Sequence, residues 1–287
     1  MTAERSGSPD LERASAVLAA RGCSLGAQLV IAEETGSTND DAKQGARSGA
    51  PHGAVWLAES QTVGRGRQGR VWLSPRGENL LFSVLLRLRC APARVPPVSL
   101  VAGLAVRDAV ARALGPSVDA DVVVKWPNDV MVRGQGGSLR KIAGVLVESA
   151  LSGSKVEYVV VGIGINVLTR TLPEDVAAIG TSIALERDAR GGGGSLPGLD
   201  RAEILADVLA GLERDVELVA DKGLGLAHAR LTRHDALMGH AVESVGDGDG
   251  DVRGTAAGID LDGRLLVRRE DGTLVHVSSG EMRLRLA

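Results

Sequence analysis

The chain has 287 residues with 33 Lys and Arg against 36 Asp and Glu, and its formal net charge is −3. This balance excludes a general electrostatic attraction to nucleic acid, and three Trp, one Tyr and one Phe are too few for a base-stacking platform. Two cysteines exclude a disulfide framework. With no signal core and no membrane-spanning apolar run, the composition predicts a cytoplasmic protein without a membrane partner.

The first two thirds of the chain alternate between strands and helices. A tail over residues 1–10 precedes a helix predicted over 11–21 from the spacing of its apolar residues. Two more helices are predicted over 40–48, capped by Ser37-Thr38-Asn39, and over 97–114, ending at Gly115. Buried strands are predicted over 28–32, 54–59, 79–89, 121–126, 142–149 and 156–163. A flexible turn over 134–138 joins the fourth of these strands to the fifth.

The last third contains one long helix and then short strands. A glycine-rich break over 191–194 indicates a surface loop, and an apolar stripe predicts a helix over 201–220. Beyond a boundary near Leu237, five short strands divided by Gly and Asp are typical of a small SH3-like barrel. These strands are predicted over 241–245, 252–259, 264–269, 274–277 and 282–286. The chain therefore divides into a tail with a short helix over 1–27, a main domain over 28–236 and the small barrel over 237–287.

The segment 64–70 combines three glycines with three arginines. Glycine lets the backbone approach a ligand closely, and arginine supplies fixed positive charge, so this loop suits a phosphate or an acyl phosphate. A solvated basic loop and a nucleic-acid contact are alternatives. The glycines satisfy the dinucleotide-binding spacing, but Pro75 prevents the helix that such a site needs directly afterwards.

The segment Lys125-Trp126-Pro127-Asn128-Asp129 ends an apolar strand. Because proline interrupts the strand, Asn128 and Asp129 are predicted at its mouth, where an amide beside a carboxylate suits Mg²⁺, phosphate or an amine. An ordinary turn containing Asn and Asp is the alternative.

Two further strands carry polar residues and glycines. Lys141 begins an otherwise buried strand. It is either a charge in solvent at the edge of the sheet or a cation directed into a binding pocket. Gly144 leaves part of that strand without a side chain, so the pocket reading explains both residues. The strand ending in Gly162-Ile163-Gly164-Ile165-Asn166 is likewise suited to close ligand approach, with a turn amide as the alternative for Asn166.

Taken together, these motifs resemble those of the biotin–protein ligases, the biotin–[carboxyl carrier protein] ligases. The resemblance runs from about Glu34 to the C-terminus in the family's order and ends at the segment 280–285. It implies an α+β fold, in which a class II synthetase-like catalytic domain with a mixed β-sheet precedes a small SH3-like β-barrel. It also implies ATP- and Mg²⁺-dependent activation of biotin to biotinyl-5′-AMP, followed by transfer to a lysine of a biotin carboxyl carrier protein of an acyl-CoA carboxylase.

The resemblance also implies residue roles. The residues expected to contact biotin are Ser37, Thr38, Asn39, Gln61, Gly64, Arg65, Arg67, Lys141, Gly144 and Gly162. Those expected to contact ATP are Arg65, Arg67, Trp72, Asn128, Lys141, Asn166 and Arg285. Arg67, Lys141 and Asp129 are the expected catalytic residues, and Asn128 and Asp129 the expected metal ligands.

Other functions remain open at this stage. The DNA-binding domain of bifunctional repressor-ligases is not evident at the N-terminus, so we expect no DNA binding and a monomer or weak homodimer. A lipoate–protein ligase has a similar fold and chemistry, but the 64–70 loop and the 125–129 segment favour biotin. A nucleic-acid-binding protein that uses the arginine loop and the barrel is opposed by the acidic charge and the scarcity of aromatics.

Overall fold

The computed structural model describes residues 9–134, 137–191, 198–245 and 252–284. The helices within these ranges are α1 (Pro9–Glu12), α2 (Ala14–Ala20), α3 (Thr38–Arg47), α4 (Pro96–Leu114), α5 (Glu174–Ala177), α6 (Ile183–Ala189), α7 (Arg201–Lys222) and α8 (His228–Arg233). None of these helices is both long enough and apolar enough to cross a bilayer.

A seven-stranded mixed sheet forms the centre of the larger part of the chain. Its strands are β1 (Leu29–Ala32), β2 (Val55–Ala58), β3 (Leu80–Leu86), β4 (Val122–Lys125), β5 (Asp129–Arg133), β6 (Leu139–Ser152) and β7 (Lys155–Ile165). They lie in the order β1-β2-β3-β7-β6-β5-β4. β1 pairs with β2 in parallel, and the other neighbours are antiparallel.

The alternation of side chains along β7 separates the core from the candidate site. Val159, Val161 and Ile163 point into the main core, which α4 and α7 cover. Tyr158 and Val160 point to the opposite face, where they pack beneath α3. Because side chains alternate along a strand, Gly162 and Gly164 lie on this second face, beyond the end of the α3 cluster. The strand therefore leaves a bare surface on the side away from the core.

The small C-terminal sheet packs against the larger part through a shared apolar cluster. Its strands are β8 (Ala241–Val245), β9 (Arg253–Ile259), β10 (Leu265–Arg268), β11 (Leu274–Val277) and β12 (Glu281–Leu284). They are antiparallel in the order β11-β10-β9-β8-β12. Trp126 is buried in this cluster, and its Nε1 donates to the carbonyl oxygen of Gly263 at 2.9 Å. The α+β class with a separate small β-sheet domain is thereby confirmed, while the position of the boundary near Leu237 stays a prediction.

Several predicted boundaries differ from the structure. The N-terminal helix begins at Pro9, within the predicted tail, because Asp10 is held by a partner in α7. The sequence did not predict β5. Turn-favouring residues lie directly before this strand and glycines follow it, so its five residues showed no clear strand pattern. The predicted turn near Gly134 therefore joins β5 to β6, and not β4 to β6. Most of the predicted 191–194 loop lies outside the described residues.

Candidate active site

One cleft on the bare face of β6 and β7 brings together residues that are far apart in sequence. It encloses about 960 Å³ of empty space, a volume that includes the solvent at its open mouth. The predicted site residues that line it are Ser37, Thr38, Asn39, Gln61, Arg65, Arg67, Trp72, Asn128, Asp129, Lys141, Gly144 and Gly162. The segment 60–78, which connects β2 to β3 and is called here the 60–78 loop, supplies much of the cover.

Two predicted residues lie outside the lining, and a third lies outside the described ranges. Gly64 allows the two antiparallel arms of the 60–78 loop to approach closely, because a Cβ there would lie 2.5 Å from the carbonyl oxygen of Trp72. Asn166 is buried and its Nδ2 donates to the carbonyl oxygen of Thr181, at 3.0 Å, which orders the chain after β7. Arg285 is beyond the last described residue.

The start of α3 forms a polar corner of the cleft. Thr38 donates its backbone N–H to Gln61 Oε1 at 2.8 Å, which ties the helix to the 60–78 loop. Asn39 Nδ2 donates to Glu148 Oε2 at 2.7 Å, and Ser83 Oγ donates to Asn39 Oδ1 at 2.6 Å. Ser37 occupies the N-cap position without a side-chain capping bond, contrary to the predicted cap role. The sequence did not single out Ser83, since a lone serine in an apolar strand carries no motif.

The floor of the cleft is built from glycines. Gly144 in β6 pairs directly with Gly164 in β7. The indole of Trp72 lies against both, since a Cβ would come within 3.2 Å of its ring at Gly144 and 2.7 Å at Gly164. The Trp72 Nε1 is buried and has no hydrogen-bond partner within the described part of the chain, so it remains a donor for a bound molecule. The space that Gly144 leaves above the strand is thus occupied by a side chain of the protein in this state.

Gly162 makes room for the polar corner. A Cβ at this position would lie 2.1 Å from Asn39 Oδ1, so only glycine permits the observed position of the amide. The glycine of the strand and the asparagine of the helix therefore form one recognition element.

Cationic side chains converge at the opposite end of the cleft. Lys141 Nζ lies 2.6 Å from Asp129 Oδ1 and 5.4 Å from the centroid of the Trp72 ring. Arg67 donates from Nη1 to Asn128 Oδ1 at 3.3 Å, and burial lowers the pKa of its guanidinium. Burial likewise lowers the pKa of Lys125, against the opposing charges of Asp129 and Glu281. Because burial penalises these charged forms, an anion bound among them would relieve the penalty.

The small sheet reaches the same cleft. Glu281 of β12 is a lining residue and forms an ion pair with Arg70 of the 60–78 loop. Burial raises the pKa of Glu281, but the hydrogen bond and charge of Arg70 outweigh it, and the net pKa is lowered. The C-terminal sheet therefore contacts the loop that covers the cleft.

The predicted metal ligands, Asn128 and Asp129, are engaged by other groups of the protein in this structure. Asn128 accepts from Arg67, and its Nδ2 donates to the carbonyl oxygen of Val145 at 2.8 Å. The Asp129 carboxylate is occupied by the Lys141 ammonium. No cluster of three or more His, Cys, Asp or Glu suited to a metal occurs in the described ranges. We therefore expect Mg²⁺ to enter the cleft with ATP, as part of the substrate.

Comparison with known proteins decides the family. The Biotin/lipoate A/B protein ligase family matches residues 32–166, and the Biotin protein ligase C terminal domain matches residues 244–285. The biotin–[acetyl-CoA-carboxylase] ligase of Mycobacterium tuberculosis is 37% identical over 257 residues, which cover 89% of this chain and 88% of that protein. The chain belongs to the biotin protein ligase family.

Other biotin protein ligases extend this similarity. The bifunctional ligase/repressor BirA of Salmonella typhimurium is 36% identical over 236 residues, covering 82% of this chain and 68% of that one. The biotin protein ligase of Aquifex aeolicus, solved in complex with biotin and ATP, aligns with a TM-score of 0.70 at 29% identity, covering 91% of this chain and 99% of that one. The resemblance drawn from the motifs is confirmed.

Proposed function

We propose that the cleft activates biotin with ATP to biotinyl-5′-AMP and then transfers biotin to a lysine of a biotin carboxyl carrier protein. The observation that carries the proposal is the placing of Arg67 and Lys141 at one end of a glycine-floored cleft whose other end presents the neutral polar side chains of Thr38 and Asn39. This division suits a ligand with a neutral polar head and an acidic tail. Biotin has both, as a ureido ring and a carboxylate.

The polar corner would hold the ureido ring. A ureido group presents one carbonyl acceptor and two N–H donors, and the hydroxyl of Thr38 with the amides of Asn39 and Gln61 offers both kinds of partner. The Asn39 amide is already fixed by Ser83 and Glu148, so little ordering of this side chain is needed when biotin binds. Gly162 would leave the space in which ring and amide meet.

The cationic end would carry out adenylation. A carboxylate oxygen of biotin attacks the α-phosphorus of ATP, the bond from phosphorus to the bridging oxygen breaks, and pyrophosphate leaves. Both reactants are anionic, so Arg67 and Lys141 must offset their repulsion and stabilise the charge that develops on the phosphoryl oxygens. Each such charge-assisted contact contributes about 1.5–3 kcal/mol where water is excluded. ATP enters with its Mg²⁺ as substrate.

The second half-reaction would use the acyl carbon of biotinyl-5′-AMP. The amine of the carrier lysine attacks this carbon and AMP leaves with the phosphate oxygen. We assign the proton released from the amine to Asp129, the carboxylate among the cations of the cleft. Asp129→Asn is then expected to form the adenylate but to transfer biotin slowly to the carrier lysine. We place the reaction in the cytoplasm, because a chain with only two cysteines fits a reducing compartment.

The test is biotin-dependent exchange of labelled pyrophosphate into ATP. We expect exchange with biotin, at most weak exchange with lipoate, and labelling of an added carrier domain at its acceptor lysine. Lys155→Ala, at an exposed position away from the cleft, is the control and is expected to match the wild type. Exchange that depends on lipoate and not on biotin would overturn the proposal in favour of a lipoate ligase.

A further inference from the structure

Arg201 is a fully buried arginine at the first position of α7, where a positive charge is unfavourable. Its side chain is 1% exposed. The N-terminus of a helix carries partial positive charge, and a buried guanidinium loses its hydration. An apolar residue would satisfy a purely structural position at lower cost, so the arginine requires another explanation.

The guanidinium of Arg201 makes five hydrogen bonds. It donates from Nε and Nη2 to the two carboxylate oxygens of Asp10, at 2.9 and 2.8 Å. It also donates from Nη1 and Nη2 to the two oxygens of Glu59, at 2.7 and 3.3 Å. The remaining N–H of Nη1 points to the carbonyl oxygen of Asn79, at 3.1 Å. The planar donor group of arginine matches this set of acceptors, whereas lysine could not reach all of them.

Two of these three partners, Glu59 and Asn79, directly flank the 60–78 loop. Glu59 follows the last residue of β2, and Asn79 precedes the first residue of β3. The N–H of Gly77 donates to the carbonyl oxygen of Glu59 at 3.2 Å, which closes the base of the loop. The Asn79 side chain also ties the returning arm, since its Nδ2 donates to Ser74 Oγ at 3.0 Å. Arg201 thus joins both ends of the segment that carries Gln61, Arg65, Arg67 and Trp72.

We infer that Arg201 is a positioning residue that fixes both ends of the 60–78 loop and thereby holds Arg67 and Trp72 over the cleft. Asp10 of α1 is the third partner, so the N-terminal helix takes part in the same arrangement. The inference rests on the proposed function for its catalytic consequence, but the effect on the loop does not depend on it. Of the proposed contacts to the biotin head, Thr38 and Asn39 lie on α3, outside the loop, and Gln61 alone lies within it, so these contacts change less than those of Arg67 and Trp72 when Arg201 no longer links the two ends.

This arrangement predicts a particular kinetic pattern. Misplacement of a catalytic group by about 1 Å can reduce a rate by about 100-fold. We expect Arg201→Lys and Glu59→Gln to lower kcat for adenylation by about 10- to 100-fold, while KM for biotin changes by less than about threefold. A merely structural role would lower the melting temperature without separating kcat from KM.

The experiment compares Arg201→Lys, Glu59→Gln and Arg201→Met with a control, Arg107→Met. Arg107 is likewise buried, at 4% exposure, and donates to the carbonyl oxygen of Val122 without contacting the 60–78 loop. Each full-length variant is examined by thermal unfolding, by trypsin cleavage in the 60–78 loop without ligands, and by pyrophosphate exchange. Glu59→Gln keeps the shape of the side chain and is decisive if Arg201→Met does not fold.

We expect faster loop cleavage and the selective loss of kcat in Arg201→Lys and Glu59→Gln, but only reduced stability in Arg107→Met. The inference would be overturned if these variants matched the control in loop cleavage and in kcat, with each protein measured at the same interval below its own melting temperature. If the wild type shows no biotin-dependent exchange, the proposed function fails. Loop cleavage then still decides whether Arg201 fixes the loop.

Discussion

Replacing Gly162 with alanine tests the polar corner of the cleft. The new Cβ would lie 2.1 Å from Asn39 Oδ1, so the amide must move. Its displacement breaks the hydrogen bonds with Ser83 and Glu148 that hold it in place, and costs the two hydrogen bonds that the amide would make to the ureido ring, each worth about 0.5–1.5 kcal/mol. Since about 1.4 kcal/mol corresponds to tenfold in binding, a total of about 1–3 kcal/mol predicts a roughly 5- to 150-fold weaker affinity for biotin.

Gly164→Ala is the matched comparison in the same strand and on the same face. There the added Cβ would lie 2.7 Å from the Trp72 ring, so the indole moves and Asn39 does not. Titration of pyrophosphate exchange with biotin and with ATP separates the two effects. We expect Gly162→Ala to raise chiefly KM for biotin and Gly164→Ala chiefly KM for ATP. A Gly162→Ala enzyme with unchanged KM for biotin would refute the assignment of the polar corner.

Three further predictions concern the charged groups. Lys141→Ala is expected to keep its fold but to lose at least tenfold in kcat for adenylation, through loss of about 1.5–3 kcal/mol of charge stabilisation; near-normal pyrophosphate exchange would contradict this role. Burial raises the pKa of Asp10, but Arg201 outweighs it and the net pKa is lowered, so the pair stabilises the fold above the ordinary pKa of Asp. That contribution is lost as pH falls through the lower folded-state pKa, and the difference in melting temperature between wild type and Asp10→Asn should therefore shrink from pH 6 to pH 3. Arg70 is 57% exposed in its pair with Glu281, so Arg70→Ala is expected to change kcat/KM by less than about fivefold, with the effect fading in high salt.

The strands and long helices were predictable because their signals are local. The apolar stripe over Ile204, Leu205, Val208, Leu209, Leu212 and Val216 is buried throughout, and α7 begins at the predicted residue. The hairpin of β4 and β5 was not resolved because Trp126-Pro127 and Asn128 give strong turn signals directly before a short strand. Short helices such as α6 depend on packing against α4, which no local pattern encodes.

The site was predictable as far as its motifs reach. Glycines and cations in short runs revealed the lining, including Lys141 and Gly162. Ser83 and Arg201 were not found, because each acts through a partner that is distant in sequence and neither belongs to a motif. The contact between Trp72 and Gly144 was not found either. The glycine shows that the strand lacks a side chain there, but not which group packs against it.

Mass spectrometry under native conditions tests the central claim most directly. The protein is incubated with biotin, ATP and Mg²⁺, freed of unbound ligand, and its intact mass is recorded beside that of Lys141→Ala. We predict that the wild type retains a mass equal to biotinyl-5′-AMP and that the variant retains none. A wild type that consumes no ATP and carries no adenylate, in a folded sample with biotin bound, would contradict the account.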